Sequence, residues 1–170
     1  MILYIVRHAI AEQRDDINNA QDDSQRALTD EGRRKMRRIA RALKEMEAPI
    51  DLILTSPYLR AADTARILQK KLDLKKENLV VTENLAPFGD PDQLVKEINE
   101  RYGAVENLAL VGHEPGLSRL ISVLLSGDPT LPIILKKGGI CRLSVDKLEY
   151  GRCATLEWLL APAQMEEMSS

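Results

Sequence analysis

Short apolar runs alternate along this chain with longer segments whose apolar residues recur every three or four positions. Ile2-Leu3-Tyr4-Ile5-Val6 is a continuous run rich in β-formers, the pattern of a strand buried on both faces. Residues 9–27 are polar and acidic and read as a long loop. A loop of that length in a small domain more often carries function than not. Thr29 can cap the helix that follows, with Asp30 and Glu31 placed to favour its N-terminal dipole. Met36, Ile39, Ala40, Leu43 and Met46 fall on one face of that helix, and Arg34, Arg37, Arg38, Arg41 and Lys44 on the other. Pro49 ends the segment.

The alternation continues. Asp51–Thr55 is a second buried strand, after which Ser56 is a good N-cap and Pro57 a good first helical residue, predicting a helix to about Leu72. Leu79–Thr82 is a third strand, and Asp90-Pro91 opens a helix to about Tyr102, with Gly103 at its end. Leu108–Val111 is a fourth strand, and Pro115 opens a helix carrying Leu117, Leu120, Ile121, Leu124 and Leu125. Segments near 132–136, 140–145 and 154–160 read as strands joined by Gly-containing turns. This order predicts a three-layer α/β architecture, a mostly parallel central sheet with helices on both faces, to which the C-terminal strands add antiparallel members. One domain is expected over residues 1–162, with a frayed tail at 163–170.

Composition narrows the classes of function. A chain of 170 residues, 44% hydrophobic and 29% charged, is ordinary for one soluble domain with its own core. A formal net charge of -2 argues against a general nucleic-acid binder. No apolar run approaches the length needed to span a bilayer, and no charged-then-apolar leader precedes Ile2, so a cytoplasmic protein without a membrane partner is expected. Cys141 and Cys153 lie in strand-like runs without CxxC spacing and are expected to be buried, reduced thiols. The only histidines are His8 and His113, and neither HExxH nor HxH occurs, so neither a metal nor another cofactor is expected.

In open α/β sheets, sites form beyond the carboxyl ends of the strands. Arg7-His8 follows the first strand, Ser56 to Arg60 the second, and Gly112-His113-Glu114 the fourth. Parallel strands bring these ends to one edge, where two imidazoles and two guanidiniums can share a crevice. That set suits phosphoryl transfer: Arg forks grip phosphate oxygens, and a neutral imidazole is a competent nucleophile near neutral pH. Neighbouring cations should keep His8 neutral for attack, and His113, if protonated, can donate to the phosphoryl group. The plainer alternatives are a strand-end salt bridge for Arg7, a satisfied backbone group for His8, a surface position for Arg60 and a turn residue in Gly112.

Three stretches carry a more specific likeness: Ile5-Val6-Arg7-His8-Ala9, Ser56-Pro57-Tyr58-Leu59-Arg60-Ala61-Ala62-Asp63-Thr64-Ala65, and Leu110-Val111-Gly112-His113. In this order they resemble the motifs of the histidine phosphatase superfamily, the phosphoglycerate-mutase-like phosphatases, with Ala9 in place of the usual Gly. Arg26-Ala27-Leu28-Thr29-Asp30-Glu31-Gly32 and Leu85-Ala86-Pro87-Phe88-Gly89-Asp90 resemble elements of the SixA-type phosphohistidine phosphatase branch. The resemblance implies a phosphoglycerate mutase-like fold and a phosphohistidine intermediate on His8. It implies a phosphate pocket of Arg7, Arg60 and His113, with Gly112 beside His113 and Arg26 reaching in from the loop.

The implied substrate is a phosphohistidine on a signalling protein such as a phosphotransfer domain, turned over without metal by a monomer. Mutase relatives place a carboxylic acid after the third strand to protonate an alcohol leaving group. The matching stretch here is Thr82-Glu83-Asn84-Leu85-Ala86, which makes Glu83 the candidate acid or else a surface carboxylate. Two other functions use the same pocket: a small-molecule phosphomonoesterase or mutase, and a non-catalytic module that binds a phosphorylated partner through the basic helix face.

Overall fold

In the computed structural model, which describes residues 1–13 and 22–169, six strands form one sheet. They are β1 (Ile2–Arg7), β2 (Leu52–Thr55), β3 (Leu79–Val81), β4 (Asn107–Gly112), β5 (Ile140–Val145) and β6 (Ala154–Leu160). The spatial order is β3-β2-β4-β1-β5-β6. The first four strands pair in parallel, and β5 and β6 add an antiparallel edge.

Side-chain alternation along each strand explains why helices cover both faces. Leu3, Ile5, Leu52, Leu54, Leu108 and Leu110 point into a core shared with α3 (Pro91–Tyr102) and α4 (Gly116–Ser126). Tyr4, Val6, Ile53, Ala109 and Val111 point the other way, against α1 (Asp30–Glu45), α2 (Leu59–Lys71) and α5 (Pro162–Met168). A strand buried on both faces has no polar side, which is why these runs read as continuously apolar. The expected basic face of α1 exists, but several of its charges are engaged: Arg41 with Glu45, Arg38 with Glu166, and Lys44 with Asp73.

Four expectations need correction. Residues 132–136 form no strand; Pro132 has no N–H to give a ladder, and the Leu135 carbonyl is taken by Arg7 Nη1 at 2.9 Å. Ser56 does not cap α2, which starts three residues later at Leu59; its hydroxyl instead accepts the Tyr58 N–H and meets His113. The tail is not frayed from 163: Pro162–Met168 is helical and buries Met165 against the α1 side of the core. Cys141 is buried as expected, and burial pushes its thiol up to about 12, but Cys153 is only half-buried, just before β6.

Of the loop expected at 9–27, residues 14–21 lie outside the described residues. Its two ends run side by side, with the Glu12 N–H donating to Ala27 O at 2.9 Å and the Thr29 N–H to Ile10 O at 3.0 Å. Thr29 caps α1 by accepting the Gly32 N–H at 2.9 Å. Gly32 is needed there because a Cβ would sit 2.1 Å from the Ile10 carbonyl oxygen. Gly32→Ala must therefore push the loop end off the helix, at a cost of about 1–3 kcal/mol, the range for overpacking. A thermal melt is expected to show a midpoint lower by several degrees, and an unchanged midpoint would contradict this packing.

Candidate active site

Register aligns the strand ends that carry the site. Arg7 pairs with Gly112 and Thr55 with Val111, so β1, β2 and β4 end level with one another. The ladder extends one residue further, with the His8 N–H donating to Gly112 O at 3.1 Å and the Ser56 N–H to Val111 O at 3.0 Å. His8 and His113 are thereby neighbours, their ring centres 5.1 Å apart and both buried. Gly112 sits in a tight place, since a Cβ would come 3.2 Å from Leu117 Cδ2 and 3.3 Å from the Leu85 carbonyl oxygen.

The hydrogen bonds fix much of the chemistry. His8 Nδ1 lies 2.7 Å from the Ala9 carbonyl oxygen. A carbonyl only accepts, so Nδ1 carries the hydrogen and Nε2 keeps its lone pair. Ala9 is itself held by donating its N–H to Thr64 Oγ1 at 3.0 Å, and Thr64 donates to Arg60 O at 2.7 Å. Thus the Thr of the second motif links α2 to the backbone behind His8. Ala9 has no positive φ, so the smaller freedom of Ala over Gly is no obstacle here. His113 Nε2 lies 2.8 Å from Ser56 Oγ. That oxygen also accepts the Tyr58 N–H, and with two lone pairs and one hydrogen it can serve either tautomer of His113.

Cations surround the pair. Arg60 is buried and donates through Nη1 to Asp23 O at 2.8 Å and through Nη2 to Asp23 Oδ2 at 3.1 Å, with its Cζ 5.1 Å from the Tyr58 ring centre. Tyr58 in turn meets His113 edge-on at 5.4 Å. Arg26 Nε lies 3.2 Å from Asp23 Oδ1, and its Nη1 donates to Glu12 O at 3.1 Å. Arg7 Nε, Arg60 Nε and His113 Nδ1 are buried with no hydrogen-bond partner among the described residues. Buried donors are normally satisfied, so Arg7 and Arg60, whose charges both act on His8, have unused donors to offer an anion. Among the described residues no three His, Cys, Asp or Glu side chains cluster in a way that could hold a metal ion.

Burial, the largest cause, together with the surrounding charges, holds both imidazoles neutral. His8 is lowered to about 4 by burial and, against the pull of its bond to Ala9, by Arg60, Arg7 and Arg26. His113 is lowered to about 3 by burial, then by His8, Arg60 and Arg26, with Asp23 acting in the opposite sense. Both values lie below the ordinary 6.5, so between those limits the unfolded chain binds more protons than the folded one. The stabilising contribution is complete above pH 6.5 and is lost as pH falls towards 4 and 3. The urea midpoint is expected to fall across that window, more steeply than in a His8→Asn/His113→Asn double variant; parallel slopes would contradict the assignment.

The structure therefore brings together His8, Arg7, Arg60, His113, Arg26 and Gly112. It does not bring in Glu83, which is exposed in a 3-10 turn after β3. The part of that segment that shares a pocket wall with His113 is Asn84, Leu85 and Ala86, and the Asn84 side chain is turned to Glu97. The sequence missed Asp23, Ser56 as the partner of His113, and Lys137. Tyr58, Thr64 and Ser56 were visible inside the second motif, but nothing marked Asp23 or Lys137. Partial burial, then Arg7, Arg26 and Arg60, hold the Lys137 ammonium below its ordinary value. It sits in a turn where Gly138 (φ 81) donates its N–H to Arg7 O and His8 O, both at 3.1 Å.

Residues 3–115 match the model of the histidine phosphatase superfamily (branch 1). The chain is 35% identical over 145 residues to an uncharacterized protein of Picosynechococcus sp., covering 84% of each. It is 27% identical over 167 residues to the phosphohistidine phosphatase SixA of Escherichia coli, covering 98% of this chain and 97% of that one. A structure of the protein histidine phosphatase SixA complexed with tungstate superposes with a TM-score of 0.82 at 27% identity, over 96% of this chain and 98% of that one.

Proposed function

The chain belongs to the histidine phosphatase superfamily, is of the SixA type and has its phosphoglycerate mutase-like fold; from that premise we propose that this phosphatase removes the phosphoryl group from a phosphohistidine on a protein, by way of a phosphorylated His8. His8 Nε2 attacks phosphorus in line, the donor P–N bond breaks, and the donor imidazole leaves neutral after taking a proton from solvent on its distal nitrogen. Water then attacks the phosphoryl group on His8, releasing orthophosphate and restoring the imidazole. Arg7, Arg60, His113 and Arg26 hold the phosphoryl oxygens throughout, beside Gly112, and no metal enters the scheme. A dianion in the pocket also offsets the surrounding cations, so both imidazoles are easier to protonate when it is bound.

One observation favours this substrate over a phosphoester: the wall beside His113 where an acid would stand is Asn84, Leu85 and Ala86. Asp23, the carboxylate that touches the described cluster, is gripped by two guanidiniums. An alkoxide leaving group needs a proton from an acid of the enzyme, whereas the basic distal nitrogen of the imidazole takes its proton from solvent. The kinship with SixA supports the same reading. A cytoplasmic monomer acting in signal transduction completes it.

The test is a side-by-side rate comparison on a histidine-phosphorylated phosphotransfer domain and a panel of sugar phosphates and phosphoglycerates. The phosphoprotein is expected to be turned over faster by orders of magnitude. Fast phosphoester turnover that is lost in Glu83→Gln would overturn the reading in favour of a small-molecule phosphatase or mutase. Stable binding of the phosphoprotein without phosphate release would favour the binding module.

A further inference from the structure

Two loops at the mouth of the crevice hold up large apolar side chains that nothing in the fold requires to be exposed. Phe88 is 95% and Ile134 78% exposed. Isolated exposed apolar residues are common, but these two are carried on loops that are each anchored beside the site. Phe88 follows Leu85 by three residues, and Ile134 precedes Leu135 by one. Leu85 and Leu135 are both buried in the half of the core under α3 and α4, so the two loops are anchored on the same face of the sheet. Each anchor also touches the site: the Leu85 carbonyl closes on Gly112, and the Leu135 carbonyl takes Arg7. The turn that carries Phe88 is held by the Ala86 N–H on Glu83 O and the Gly89 N–H on Ala86 O, both 2.9 Å. Leu131 adds a third exposed apolar side chain upstream of Ile134.

We infer that these loops form the docking rim for the phosphorylated protein, with Phe88 and Ile134 as its apolar contacts, a conclusion that rests on the phosphoprotein reading above. Charge specifies the partner surface. Lys136 and Lys137, which follow Ile134 after the buried Leu135, are exposed, and the charges of Arg7, Arg26 and Arg60 act on Lys137. Positive charge is thus gathered on the Ile134 side of this mouth although the whole chain carries -2, whereas the Phe88 loop carries exposed Glu83 and Asp90. The complementary partner presents an apolar patch edged by acidic side chains next to its phosphorylated residue. On this proposal the rim serves a macromolecular substrate, and a free small phosphorylated substrate engages the phosphate pocket alone.

The experiment compares wild type with Phe88→Ser, Ile134→Ser and the double variant on two probes with the same P–N bond, a histidine-phosphorylated phosphotransfer domain and free phosphohistidine. The double variant is expected to lose about tenfold or more in kcat/KM on the protein, mainly through KM, as removal of apolar interface anchors does. On free phosphohistidine it should stay within about twofold of wild type, since truncating exposed side chains barely alters the fold. Unchanged values on the protein, equal losses on both probes, or a change in self-association with KM unaltered would each overturn the docking rim. Wild-type enzyme that turns over free phosphohistidine but not the phosphoprotein would instead overturn the proposed function, and the rim with it.

Discussion

His8→Ala is expected to abolish turnover, lowering kcat/KM by on the order of 10⁴ to 10⁶, the range seen when a covalent nucleophile or the base paired with it is removed. The expectation comes from three features that converge on one atom. The Ala9 carbonyl fixes the hydrogen on Nδ1, which leaves the lone pair on Nε2. Burial and the nearby guanidiniums hold the ring neutral, with a pKa of about 4, so it needs no base to become nucleophilic at pH 7. The His8 N–H is bonded to the Gly112 carbonyl, which fixes the backbone on which the ring is carried. The loss should appear in kcat with orthophosphate binding largely retained, because the cations that bind it are untouched. Activity within tenfold of wild type would place the nucleophile elsewhere.

Arg60→Ala is expected to cost about 10² to 10³ in kcat/KM, as removal of one preorganised donor to a developing oxyanion does. Its guanidinium is buried, with Nη1 and Nη2 already on Asp23 and Nε without a partner among the described residues. It is thus positioned before substrate arrives and needs little reorganisation. Arg60→Lys keeps the charge but loses the planar fork, and should recover only part of the activity. Because Arg60 also holds Asp23, the alanine variant should free the Asp23–Gln25 turn. Faster amide exchange there would accompany the kinetic loss. A loss confined to KM would mean that Arg60 binds the ground state and the transition state equally.

The parts of this fold that the sequence discloses are those set by local pattern. Continuous apolar runs gave β1, β2 and β4, and their alternation divides the core between the two helix layers. Strand-end residues were readable as a site because parallel register needs no side-chain detail to bring His8, Ser56 and His113 level. Segment 132–136 misled because its apolar run serves the rim of the site and the core at once, so Leu135 goes in while Ile134 goes out without any ladder. Ser56 misled because its N-cap chemistry is the same hydroxyl chemistry that engages His113. Asp23 and Lys137 were illegible because their place depends on where a loop and a turn fold back, which no short-range pattern records. Glu83 looked near in sequence, but the 3-10 turn rotates Leu85 inward and leaves Glu83 outside.

The central claim is a phosphoryl group on Nε2 of His8, and the most direct measurement is to trap it. Enzyme mixed with a ³²P-labelled, histidine-phosphorylated phosphotransfer domain is quenched in alkali within one turnover, digested and mapped. Acid-labile label on the peptide carrying His8, appearing and decaying at rates that match phosphate release, is the expected outcome. Full-rate release with no label on that peptide, or label that persists on it in a His8→Ala enzyme, would refute a phosphorylated His8.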